Sequence, residues 1–158
     1  MFTKGEIVVY PMHGAGVIED LEERNIDGVN KNYYVLNLPL GNLKVMLSAD
    51  CIEGTGLRKV LSKNDISSII KKASLAPAKA RIENWGQRYK ENVERMKTGK
   101  LCEATAVFYE LYRKEKQKGL SGAEKKVMTT AKKIVLSEIM LGLGLEKNDA
   151  EDMLEKYS

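Results

Sequence analysis

Trp85, the single tryptophan of the chain, stands in NWGQRYK (84–90) with Arg81, Arg88 and Lys90 around it. A large flat apolar ring among cations suits stacking between nucleic-acid bases better than it suits bond-making chemistry. Residue types that make and break bonds are thinly spread. His13 is the lone histidine, and Cys51 and Cys102 lie far apart with no CxxC spacing. Zinc therefore has no ligand set, and neither thiol has a base in view. Both cysteines read as small hydrophobes in the core. GAG (14–16) is too short to cradle a phosphate, and no helix follows it. Glu19, Asp20, Glu22 and Glu23 alternate along a strand and read as a solvated face. No constellation here points to an enzyme, a metal or a cofactor.

A second cluster is cationic. Lys125 and Lys126 follow Glu124 in the first turn of an expected helix. The positive end of the helix dipole disfavours each by about 0.5 kcal/mol. A phosphate arriving there would meet lysines and backbone N–H groups together, which turns the cost into affinity. Lys132 and Lys133 extend the stripe by one to two turns. In the alternative, Glu124 offsets these lysines and they sit idle in solvent. The net charge of +4 conceals an asymmetry: residues 1–60 carry 6 Lys/Arg against 8 Asp/Glu, residues 71–133 carry 17 against 7, and residues 134–158 carry 2 against 6. A basic middle between acidic ends fits a polyanion surface, and equally a solvated helical one.

With 158 residues and 43% hydrophobic content, the chain holds one ordinary domain or two small ones. No apolar run approaches the roughly 18 residues of a membrane span. The start, MFTKGEIVVY, carries Glu6 and lacks the apolar stretch of a signal peptide, so a cytoplasmic protein is expected.

The elements that would position these residues fall into two kinds. EIVVY (6–10), GVIEDLEER (16–24), NYYVLNL (32–38) and LKVMLS (43–48) read as short strands. Turn signals separate them at Tyr10-Pro11, His13-Gly14, Asp27-Gly28 and Gly41-Asn42, and His13 is read as a turn residue. Strands this short and this dense predict a small, strongly bent sheet or barrel of the Tudor/SH3 kind with an exposed edge.

The pattern turns helical after Gly54-Thr55-Gly56. Ser62-x-x-Asp65 opens a helix to about Ser74 with Ile66, Ile69 and Ile70 inside. A break follows at 75–83. Asn84 then caps a helix ending at Thr98-Gly99, with Tyr89, Val93 and Met96 inward. A helix over 100–117 buries Leu101, Ala104, Phe108, Leu111 and Tyr112. Ser121-x-x-Glu124 opens a long helix with Val127, Met128, Ala131, Ile134, Val135, Ile139 and Met140 on its apolar face, and a short helix at 147–157 closes the chain. The expected fold class is α+β, a barrel domain at 1–58 followed by an all-α helical bundle at 62–158. With Asn84 as cap, Trp85 sits in a first turn and projects from the end of the bundle. A helix continuous from Ala78 would instead bury it on the stripe 82, 85, 89, 93, 96.

Three stretches, VVYPMHGAGVIEDLEER (8–24), NWGQRYKEN (84–92) and GLSGAEKKVMTTAKKI (119–134), resemble the CarD/CdnL family of bacterial transcription regulators. The likeness covers essentially the whole chain, although YPMHGAG alone is shared with the polymerase-interaction module of transcription-repair coupling factors. The resemblance implies a Tudor-like domain that binds the RNA polymerase β subunit through an edge strand, and a helical domain that reaches promoter DNA at the upstream edge of the bubble. The family tryptophan falls on Trp85, which would wedge into the minor groove, and a family basic residue falls on Lys125. The polymerase-contacting arginine falls on Arg24. A second family arginine aligns with Met46, which leaves Lys44 as the nearby cation able to substitute. The expected DNA-binding set is Trp85, Asn84, Arg88, Lys90, Lys125 and Lys126, and the polymerase-binding set is Arg24, Lys44 and Met46. A monomer with no membrane contact is implied. The competing reading is an adaptor on polymerase whose basic face recruits an acidic protein, without direct DNA contact.

Overall fold

The computed structural model describes residues 2–76 and 86–156 in full and the backbone of Trp85. Five strands, β1 (Ile7–Tyr10), β2 (Gly14–Ile26), β3 (Val29–Leu38), β4 (Leu43–Ser48) and β5 (Arg58–Lys59), form one antiparallel sheet in the order β4-β3-β2-β1-β5. Asp27 and Gly28 both adopt positive φ, 52° and 78°. That makes a two-residue turn whose twist matches the strands it joins. Asn25 Oδ1 fixes it by accepting from Gly28 N at 3.1 Å.

The expected Tudor/SH3-like barrel is not closed, and the strands form an open sheet with two edges. Among the described residues, β5 has only two residues and pairs with β1 alone, while β4 pairs with β3 alone, so the two edges do not meet. One face carries a core of Val8, Ile18, Tyr34, Leu36, Leu38 and Leu47. The register of β2 slips between Ile18 and Asp20, a bulge at Glu19. Past Glu22 and Tyr33, where the pairing with β4 ends, β2 and β3 run on as a two-stranded arm exposed from Glu23 to Asn32.

Among the described residues, five helices follow: α1 (Lys63–Leu75), α2 (Trp85–Lys97), α3 (Leu101–Gln117), α4 (Gly122–Leu143) and α5 (Lys147–Lys156). Ser62 Oγ caps α1 by accepting from Asp65 N at 3.2 Å, and Ser121 Oγ caps α4 by accepting from Glu124 N at 3.2 Å. Ile66 and Ile70 are buried as expected, and Gly99 N closes the end of α2 on Met96 O at 3.3 Å. The remainder of the expected break, 77–83, and the Asn84 cap lie outside the described residues.

Two expected packings are corrected. Tyr89 is 38% exposed, and Asn92 takes the inner position with Met96, because the buried stripe of α2 runs one step round from the apolar one. Cys51 and Cys102 are both exposed rather than packed in the core. Cys51 ends a short 3-10 turn, and Cys102 lies on the outward side of α3 between the buried Leu101 and Ala104.

The apolar face of the helices forms one core, centred on Val107, Phe108 and Tyr109 of α3 and Ala131, Val135 and Ile139 of α4. α4 changes character along its length. Its first turns are one-sided, whereas Ile134 to Ile139 are buried without interruption. A helix buried all round needs a neighbour on each side, and here the second neighbour is the sheet. Ser137 Oγ accepts from Ala15 N at 2.7 Å and donates to Ile134 O at 2.7 Å. Gly14 makes the approach possible: its φ is +98°, and a Cβ there would strike Ser137 Oγ. The YPMHG turn therefore lies at the junction of sheet and helices. Met12 packs against the helical core, and the His13 ring stacks on Tyr10 at 4.8 Å between centroids.

Candidate nucleic-acid interface

Two helix beginnings are tied together at one point. Glu124, in the first turn of α4, is 4% exposed. Its carboxylate accepts from Arg88 of the first turn of α2, Nε to Oε2 at 3.3 Å and Nη2 to Oε1 at 3.4 Å. Lys114, near the end of α3, donates to both carboxylate oxygens at 3.1 Å. Burial alone would raise the Glu124 carboxyl, but the hydrogen bonds and charges of Arg88 and Lys114 outweigh it and hold the group below the ordinary carboxylate value. A similar clamp ends α2. Arg95 Nε donates to Glu103 at 2.9 Å and Nη1 to Glu110 at 3.0 Å. Desolvation of Arg95 pulls its pKa down, and the two carboxylates more than reverse that.

This geometry decides one question that the capping pattern leaves open. The Glu124 carboxylate is committed to Arg88 and Lys114, so Lys125 and Lys126 gain no direct pairing from it. Both lysines are exposed, and among the described residues neither makes an ion pair. Lys90 is exposed on α2. Further along α4, Lys132 reaches Glu155 at 3.9 Å. Arg88, expected among the residues open to DNA, has its charge matched by Glu124 and its side chain only 23% exposed. The Trp85 side chain and Asn84 are outside the described residues, and α2 begins at Trp85 itself.

The second candidate surface is the sheet. Side chains alternate along a strand, so residues paired across strands share a face. Arg24 pairs with Lys31, Met46 with Val35 and Lys44 with Asn37. Lys31, Val35 and Asn37 are separated by even steps on β3, which places Arg24, Lys44 and Met46 on the same side of the sheet. Lys44 is bound to Glu19 at 3.2 Å and Arg24 to Glu22 at 3.2 Å, both pairs well exposed. Ile26, Val29 and Met46 add 45%, 54% and 37% exposed apolar side chains to this side. A hydrophobic strip with an unpaired strand edge is suited to a partner's strand.

Sequence reasoning missed the buried acids. Glu138 is fully buried in α4, and Arg58 donates to it in parallel, Nη2 to Oε1 at 2.7 Å and Nη1 to Oε2 at 2.9 Å. A glutamate inside the apolar run IVLSEIM (134–140) is the available signal, since such a charge persists only with a partner. No group of three His, Cys, Asp or Glu among the described residues could hold a metal ion. No helix among them is long and apolar enough to cross a membrane.

Comparison with known proteins agrees with this architecture. Residues 2–61 match the CarD-like/TRCF RID domain, and residues 69–155 match the CarD C-terminal domain. The YdeB protein of Bacillus subtilis (strain 168) is 34% identical over 148 residues, covering 92% of this chain and 94% of YdeB. Matched by both domain families in order and by a relative along nearly its whole length, the chain belongs to the CarD family.

Proposed function

We propose that this protein is a transcription regulator that docks on the β subunit of RNA polymerase and stabilises the open promoter complex. The sheet provides the docking surface through Arg24, Lys44, Met46 and the free edge of β4. The helical part faces DNA at the upstream edge of the bubble. There the Trp85 indole wedges into the minor groove, with Asn84 and Lys90 beside it and Lys125 and Lys126 on the phosphates.

One observation carries the reading. Arg88 and Glu124 join the first turns of α2 and α4, so the tryptophan-bearing turn and the lysine-bearing turn belong to the same end of the molecule. An indole at an opened step compensates for lost stacking by about 1–3 kcal/mol per base and blocks reclosure. About 1.4 kcal/mol is tenfold in the open–closed equilibrium, so one side chain suffices. The lysines hold phosphate irrespective of sequence, and polymerase supplies the targeting. The description of YdeB as a candidate transcription factor fits the same role.

Trp85→Ala tests it. The variant keeps its fold and its capture of polymerase, and shortens open-complex lifetime. Arg24→Glu does the reverse, weakening capture of polymerase with free-DNA binding unchanged. An unaltered lifetime in Trp85→Ala would falsify the wedge and leave the adaptor role, in which DNA at the fork stays unprotected in footprints.

A further inference from the structure

We infer that Glu124 is a positioning residue that holds the Trp85-bearing turn of α2 in its working orientation. The inference rests on the wedge reading above and names the part of the fold that aims it. The first turn of a helix is its least constrained part, because its N–H groups lack intrahelical acceptors and its ends fray. Anything that aims a side chain there must come from outside the helix. For α2 that outside contact is a fork. Arg88, three residues after Trp85, is grasped by the Glu124 carboxylate through two nitrogens, at 3.3 and 3.4 Å.

The anchor is itself rigid. Glu124 N is bound to the Ser121 cap, its carboxylate takes Lys114 Nζ on both oxygens, and the residue is buried. Lys114 is on α3, so the three helices α2, α3 and α4 converge on one carboxylate. The same carboxylate precedes Lys125 and Lys126 directly in the chain. Its position thus fixes the distance between the indole-bearing turn and the phosphate-facing lysines. A guanidinium fork is directional, and a single ammonium is not, so the pairing sets orientation as well as proximity.

Glu124→Gln is the principal variant, since it keeps size and the backbone cap while weakening both cation contacts. Arg88→Gln is the second, cutting the link at its more exposed end where the fold is better protected. Three measurements are made on the full-length protein: open-complex lifetime with polymerase and promoter, the same lifetime in a Trp85→Ala background, and quenching of the sole tryptophan by acrylamide without DNA. Lifetime is expected to fall on the order of three- to tenfold, the range that one weakened charged hydrogen bond gives. It is expected to stay unchanged when Trp85 is already absent, and acrylamide quenching is expected to shift in both variants. Equal loss of lifetime with and without Trp85, or quenching identical to wild type, overturns the positioning role. Should Trp85→Ala itself leave lifetime unaltered, the wedge fails, and the quenching result alone decides whether Glu124 aims this turn.

Discussion

Arg58 and Glu138 meet end to end across the boundary between sheet and helices, with parallel hydrogen bonds of 2.7 and 2.9 Å. The same carboxylate accepts from Leu61 N at 3.3 Å, and Arg58 Nε donates to Gly99 O at 2.8 Å. Strand β5, the connection after it, the α2–α3 turn and the middle of α4 therefore share one charge pair.

Removing one partner leaves the other uncompensated. Glu138→Leu and Arg58→Met are each expected to cost about 3–5 kcal/mol, whereas the double variant should cost less than either, because no unpaired charge remains. Urea unfolding of the four proteins measures this. Additive losses would show that the two residues act independently.

The Ser137–Ala15 contact gives a second cycle. Ser137→Ala orphans a buried N–H and should cost about 1–3 kcal/mol. Gly14→Ala should cost more, since it combines a strained positive φ with a collision against Ser137 Oγ. Joined, the two changes should fall short of their sum, because deleting the hydroxyl removes the collision. Melting temperatures of the single and double variants report it, and a full sum would mean that backbone strain alone is at work.

Lys125 and Lys126 are exposed without ion pairs among the described residues, so their contribution to DNA contact should be electrostatic and screened. Each phosphate contact adds about 0.9 to the log–log salt slope on duplex DNA. Replacing both lysines with Gln should reduce that slope by about two, measured on polymerase–promoter complexes over a salt series. A slope equal to wild type would mean that neither lysine touches phosphate.

What is legible in the sequence is local. Ser62 and Ser121 announce their helices because a cap acts within three residues, and Asp27-Gly28 announces its hairpin because two positive φ angles need such residues. Glu138 is not legible as a clamp, since its partner lies 80 residues earlier, and the bond between Arg88 and Glu124 spans 36. Tyr89 misleads for a related reason: periodicity marks an apolar stripe, but the inner side of α2 is taken by Asn92, Met96 and the inward-paired Arg88. The open sheet is hidden as well, because whether β4 and β5 meet depends on where the chain goes after Lys59.

Acid should dissolve the Glu124 link in a defined window. Its carboxyl sits below the ordinary 4.5 because, although burial favours the neutral form, Arg88 and Lys114 favour the charged one more strongly. A carboxyl lowered on folding stabilises the native state above its unfolded value, and that stabilisation is lost as pH falls through the folded one. Arg88 and Lys114 remain cationic throughout, so the change belongs to the carboxylate. Wild type should therefore melt above Glu124→Gln by a constant margin from neutrality down to about pH 5, with the margin shrinking at lower pH. Thermal melts across this range check it. A margin that persists undiminished down to about pH 3, below the ordinary carboxylate range, would mean that the Glu124→Gln variant is weakened through shape, and that charge pairing with Arg88 and Lys114 contributes nothing to the difference.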